Sequence, residues 1–125
     1  MSMLDLLLKK DPKDFDIPEK TVYIPRLAEL LGGDGAVTIK ALSFERIDEI
    51  NKMHPDDVEI WAVLNAVKDP DFRNAELMRH FGVVTPIDCI KKILRPGEIQ
   101  GLYARISEHC GYGRTVLADI KKNRN

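Results

Sequence analysis

Between residues 64 and 112 the chain is cut by hard stops at short intervals, and no fold built on long helices or long strands survives that punctuation. Val67-Lys68-Asp69-Pro70-Asp71 ends one helical pattern, because a residue before proline is pushed out of the α region. Phe81-Gly82 ends the next, with Gly82 suited to the left-handed conformation that follows a helix. Thr85-Pro86-Ile87-Asp88 restarts the chain, with Thr85 as N-cap, Pro86 at the first helical position and Asp88 near the positive end of the dipole. Leu94-Arg95-Pro96-Gly97-Glu98 repeats the break, and Gly111 closes the following helix. The spacing predicts a compact stack of short helices.

Upstream, Met3, Leu4, Leu7 and Leu8 sit at helical spacing. So short a helix is marginal alone, so it docks either on its own domain or on a partner. Residues 11–19, with Pro12 and Pro18, form a linker. Thr21-Val22-Tyr23-Ile24 alternates and is rich in β-formers, which predicts a strand. Arg26-Leu27-Ala28-Glu29-Leu30-Leu31 makes a helical turn stopped by Gly32-Gly33, and Val37-Thr38-Ile39-Lys40-Ala41 is a second strand, antiparallel to the first. A lone hairpin is barely stable in water, so one of its faces must lie on the helices.

Ser43 caps a helix carrying Phe44, Ile47 and Ile50 on one stripe. Asp56 or Asp57 caps the next, where Ile60, Trp61, Val63, Leu64 and Val67 leave little polar face. That helix should be the most buried. Trp61 is its largest apolar side chain, and truncation to alanine there should cost about 3–5 kcal/mol. Leu77, Met78 and Phe81 follow, then Ile87, Ile90, Ile93 and Leu94, then the stripe Ile99, Leu102, Tyr103 and Ile106. Val116, Leu117 and Ile120 mark a last helix fraying into residues 121–125. The expected fold is mainly α: a bundle of short helices with an N-terminal antiparallel β-hairpin, α+β by strict count. Residues 1–19 are an apolar segment and linker, 20–122 a single domain and 123–125 a frayed tail.

At 125 residues one domain is the prior, large enough to bury a core. A net charge of -1 argues against bulk attraction to nucleic acid or to an anionic membrane. The two cysteines, Cys89 and Cys110, form no CxxC pair, which points to reduced thiols. No stretch approaches the run of about 18 apolar residues that spans a bilayer, and the apolar N-terminus lacks a signal peptide's basic flank and cleavage site. The expectation is a cytoplasmic protein.

The chemistry-bearing groups have plainer readings. Gly32-Gly33-Asp34-Gly35 lacks the Lys-Ser/Thr of a phosphate loop, and Asp34 would repel an anion. It is a connector. His80, Cys89, His109 and Cys110 are the soft ligands present, but adjacent His109 and Cys110 point about 100° apart on a helix, which suits no zinc site. A Cys89–His80 nucleophile has no evident third group to orient the base. Asp56-Asp57 and Asp69/Asp71 flank helix ends, where carboxylates cap. Lys91, Lys92 and Arg95, with Lys121, Lys122 and Arg124, read as a solvated face. No catalytic constellation emerges, so neither an enzyme, a metal nor a cofactor is expected.

The order Val-Lys-Asp-Pro-x-Phe at 67–72, Glu76-Leu77-Met78 with Phe81-Gly82 and Val84-Thr85-Pro86, Pro96-Gly97-Glu98-Ile99, and Leu102-Tyr103 with Ile106-Ser107 and Gly111-Tyr112 resembles the XkdN-like family of phage tail assembly chaperones. The likeness extends upstream through residues 18–27 and 38–43, and covers nearly everything from 18 to 122. It implies a chaperone, of phage or prophage origin, that binds the tape measure protein and keeps it soluble during tail tube assembly. By the same resemblance it acts in the bacterial host cytoplasm and is absent from the mature virion. Other tail proteins and self-association are further partners it leaves open. The sequence departs from the family at Gly101, which costs about 1 kcal/mol in a helix relative to alanine unless a close helix approach uses it.

The residues expected to meet the partner are apolar groups left over after packing: Leu4, Leu7 and Leu8, with Tyr103 and Tyr112 near helix ends. Tyrosine suits that place because it offers rigid area with a polar tip. The alternative is a small helix-turn-helix-like DNA-binding regulator. Its best recognition helix, residues 97–109, would expose Glu98, Gln100, Arg105 and Glu108, and two acids would then face phosphates. Partner binding is favoured over it.

Overall fold

The computed structural model describes residues 1–112. The last helix expected around Val116, Leu117 and Ile120 lies outside them. In chain order the elements are α1 (Met3–Lys9), a 3₁₀ turn (Pro12–Phe15), β1 (Lys20–Tyr23), α2 (Pro25–Leu31), β2 (Ala36–Ile39), α3 (Phe44–Met53), α4 (Val58–Ala66), β3 (Val67–Asp69), α5 (Ala75–His80), α6 (Pro86–Ile93) and α7 (Pro96–His109). The fold is α+β and mainly helical.

The three strands form one antiparallel sheet in the order β1-β2-β3. β1 and β2 pair as expected, with Lys20 opposite Ile39 and Tyr23 opposite Ala36. The third strand was not anticipated. Residues 67–69 stop the preceding helix, but they then pair along β2, with Thr38 opposite Asp69 and Ile39 opposite Val67. The helical turn expected between β1 and β2 is α2. Gly32 ends α2 in the left-handed conformation (φ 75°), and Asp34 Oδ1 accepts from the Ala36 amide to shape the loop.

α4 is the centre of the molecule. Ile60, Ala62, Val63, Leu64 and Ala66 are all buried in it, and it packs against α3, α6 and α7 while running directly into β3. Central strand β2 supplies Val37 and Ile39, and α6 supplies Cys89 and Ile90, to the same continuous core. The dominant apolar helix was therefore legible, but the place of its tryptophan was not. Trp61 is only partly buried and stacks on His54, with ring centroids 3.7 Å apart and planes 6° from parallel. Phe44, expected on the buried stripe of α3, is 87% exposed. It stands at the first position of α3, directly after the Ser43 cap, and Ile50 is the residue of that stripe that is buried.

The expected caps at Ser43 and Thr85 form, Asp57 stands at the N-cap of α4 without a side-chain cap hydrogen bond, and Asn74 is a cap the sequence reading did not name. The hydroxyl of Ser43 accepts from the Arg46 amide, that of Thr85 from the Asp88 amide, and the Asn74 side chain from the Leu77 amide. Each satisfies one of the four donors a helix start leaves open.

Candidate functional site

The α3, α4 and α7 side chains that face one another do not close completely. They leave a groove of about 310 Å³. Ile50, Ala62 and Ile106 form its floor, each under 5% exposed. Its walls are Ile47 from α3, Val58 from α4, Tyr103 from the middle of α7 rather than near a helix end, and Cys110 just past that helix, with Tyr112 beyond it. Helical spacing explains the convergence: 47 and 50, 58 and 62, and 103, 106 and 110 each repeat every three or four residues and so share a face. Asn51 and Ser107 add two polar groups. A second, wider depression of about 600 Å³ opens between the start of α4 and α6–α7, but charged Asp56, Asp57, Glu59 and Lys91 line it.

A second apolar surface lies on α1. Ser2 and Asp5 form a capping box that starts this helix. Leu4 is 64% exposed, Leu7 47% and Leu8 75%. Met3 and Leu6 are exposed as well, so α1 buries none of its residues. Six of its seven positions carry Met, Leu or an aliphatic lysine stem, a composition that is costly to leave in water.

Two contacts root this N-terminal arm on the domain. His109 Nε2 donates to the Pro18 carbonyl at 2.6 Å, and Lys68 pairs with Glu19 at 2.7 Å. Because a carbonyl only accepts, the hydrogen bond fixes a proton on Nε2 of His109. His109 is followed in the chain by Cys110, a groove residue.

The strongest polar contact elsewhere is structural. Arg26 of α2 donates from Nε and Nη2 to the two carboxylate oxygens of Glu98, both at 2.7 Å, and from Nη2 to the Ile93 carbonyl. Glu98 also accepts from the Arg95 amide at the start of α7. The hydrogen bond from Arg26 holds the Glu98 carboxyl below the usual carboxylate range, against an opposing effect of burial. Glu98 was expected to face solvent. It is instead half-buried and committed to Arg26, a partner 72 residues away that no local pattern announces.

Burial pushes the Cys89 thiol pKa up, which lowers its thiolate fraction and so its reactivity. Among the described residues no cluster of three or more His, Cys, Asp or Glu is placed to hold a metal ion. No helix among them is long and apolar enough to cross a membrane.

The structure thus brings two of the five expected partner residues, Tyr103 and Tyr112, into one groove, and leaves Leu4, Leu7 and Leu8 on a separate helix. Reading the sequence missed the groove's other walls, Ile47, Val58 and Cys110. A signal existed only for Ile47, in the α3 stripe. That Val58 and Cys110 face the same space depends on how three helices cross, which periodicity does not report.

A family model for the phage XkdN-like tail assembly chaperone protein matches residues 4–122. The crystal structure of the protein yqbn is similar in fold, with a TM-score of 0.66 at 22% identity, over 79% of this chain and 89% of that one. No curated protein matches the chain. The match from α1 through the groove helices spans nearly the whole sequence, and the chain belongs to the XkdN-like phage tail assembly chaperones.

Proposed function

We propose that this chaperone binds the phage tape measure protein and keeps it soluble while the tail tube assembles. On this reading it works in the cytoplasm of the bacterial host and leaves before the virion is complete. The observation that carries the proposal is the apolar groove between α3, α4 and α7, with Tyr103 and Tyr112 on its wall and exit, together with the exposed leucines of α1. A tape measure protein is a long, largely helical chain whose apolar stripes would self-associate before assembly. Helix-in-groove packing matches such a client, with side chains at i, i+3 or i+4 and i+7 seated between the walls. A groove of about 310 Å³ takes only a few side chains at a time, which suits a contact that must be released.

Co-expression with the cognate tape measure tests the proposal. The expected result is a soluble tape measure that copurifies with the chaperone. Tyr103→Ser with Tyr112→Ser should reduce that copurification several-fold while the chaperone remains folded. An insoluble tape measure in the presence of folded wild-type chaperone would end the proposal. Affinity for duplex DNA that falls steeply with salt would instead favour the DNA-binding alternative.

A further inference from the structure

Strand β1 has one side unpaired. Among the described residues it stands at the edge of the sheet, with β2 on its other side. Ile24 donates to the Gly35 carbonyl at 2.9 Å, and in the same register Val22 opposes Val37 and Lys20 opposes Ile39. In an antiparallel pair, residues bonded to the partner strand alternate with residues that bond outward. Thr21 and Tyr23 therefore turn their amides and carbonyls away from β2. Each brings one donor and one acceptor to the open side. Both residues are exposed. Open edges are commonly guarded by a proline or a bulge within the strand. Here Pro18 and Pro25 stand outside β1, and its pairing with β2 runs without a shift.

Beside this edge, between β1 and α7, lies a depression of about 410 Å³. Buried Leu102 and half-buried Val22 supply its apolar lining. Gly101 lines it as well. A Cβ at that position would meet nothing within 4 Å, so the chain's own packing does not call for glycine there, although glycine weakens a helix. The missing side chain keeps the depression open. Its charge is one-sided. Glu98 is the acid of the lining, and both its oxygens are taken by Arg26. Lys20 and Arg105 line the same space, and among the described residues neither forms an ion pair. Two uncommitted cations thus accompany an apolar floor and an unpaired strand edge.

We propose that the β1 edge and this depression take up an extended, acidic segment of a partner protein, which adds to the three-stranded sheet as a further strand. A helix cannot do so, because its own backbone groups are already bonded and would leave those of Thr21 and Tyr23 unmet. In the added strand alternate residues share a face. Residues on the side of Lys20 and Val22 look into the depression, where an apolar group meets Leu102 and carboxylates meet Lys20 and Arg105. The C-terminal residues of the chain itself are a poor match in charge: between 113 and 125, Arg114, Lys121, Lys122 and Arg124 stand against Asp119. The α7 residues used here, Gly101, Leu102 and Arg105, do not line the α3–α4–α7 groove. Strand uptake is thus a second mode of docking, independent of helix binding in that groove.

A short blocked peptide tests this on the full chain. It carries threonine at odd positions and glutamate, valine and glutamate at successive even ones, so one face presents an apolar group between two acids. On titration, the amide resonances of Thr21 and Tyr23 should shift, and their hydrogen exchange should slow at least about fivefold. The same peptide with lysine in place of glutamate should bind at least about tenfold more weakly. Lys20→Glu with Arg105→Glu should reverse that preference, the more so at low salt. Thr21→Pro removes an outward N–H without touching the bonds between β1 and β2, and should abolish binding by the folded chain. Gly101→Leu puts a good helix former at an open position and should weaken binding by filling the depression.

Amides that stay unmoved in the folded wild type would overturn the proposal, as would equal binding of the acidic and basic peptides. Binding that persists in folded Thr21→Pro would place the site elsewhere. Exchange at Thr21 and Tyr23 that is already slow without peptide would give the edge a different occupant: a second copy if the protection fades on dilution, residues 113–125 if it does not. None of these outcomes bears on whether the tape measure copurifies, so failure here and failure of the proposed function remain distinguishable.

Discussion

An alanine at position 35 would place its Cβ 2.5 Å from the Ile24 carbonyl oxygen and 2.9 Å from the Ala28 amide nitrogen, at a φ of +66°. Both contacts are with backbone, so no side chain can yield. Gly35→Ala should therefore destabilise the protein by at least about 2 kcal/mol, through αL strain and the displacement of α2 from the loop that follows it. Gly101 is the opposite case. A Cβ there meets nothing within 4 Å, so no close helix approach requires glycine, and Gly101→Ala should stabilise by up to about 1 kcal/mol. Urea titration of the two variants checks both signs. Trp61 takes a value between. It is partly buried against His54 rather than enclosed, so Trp61→Ala should cost about 2–3 kcal/mol, less than the 3–5 of an enclosed tryptophan. A loss above that range would show that the His54 stack closes the site more fully than its exposure indicates.

Arg26 ties the first turn of α2 to the first turn of α7 and to the last carbonyl of α6, that of Ile93, so three elements share one guanidinium. The folded pKa of Glu98 lies below its unfolded value, chiefly because Arg26 hydrogen-bonds the ionised form. Its stabilising contribution is therefore complete above the unfolded carboxylate pKa of about 4.3 and is lost as the pH falls through the lower folded value. Glu98→Gln cannot ionise. The stability gap between wild type and this variant should thus be widest near neutral pH and close in acid. A gap that stays constant across that window would show that shape, not charge, makes the link. The arm should behave differently from this pinned region. Since Leu4 and Leu7 are largely exposed, replacing both by serine should leave the melting temperature of the dilute protein almost unchanged. A marked fall would mean that α1 is part of the domain's own core.

Core residues from β2, α4, α6 and α7 meet in one cluster, so the domain should unfold as a unit. Cys89, with no exposed surface, offers a probe of that unit. In a Cys110→Ser background, labelling of Cys89 should track global unfolding across a denaturant series, and rapid labelling under native conditions would reveal separate opening of α6. Much of this architecture was legible in the chain. Caps at Ser43 and Thr85, the glycine ending α2, the apolar run of α4 and the pairing of two strands are decided by φ/ψ limits, hydrogen-bond supply and periodicity, all of which act within a few residues. The sequence alone also determined that Leu4, Leu7 and Leu8 form an apolar face, because spacing on a helix is local. Tertiary structure decided the rest. Val67-Lys68-Asp69 became a strand only because β2 offered a free edge beside the end of α4. Glu98 left the surface only because Arg26 arrived from far along the chain, and Trp61 moved to the margin because α4 turns Ile60, Val63, Leu64 and its alanines toward its neighbours instead. The groove exists for the same reason. Its walls come from three helices whose mutual placement is set by packing among distant residues, and a pattern read along one helix carries no record of what the next will place opposite it.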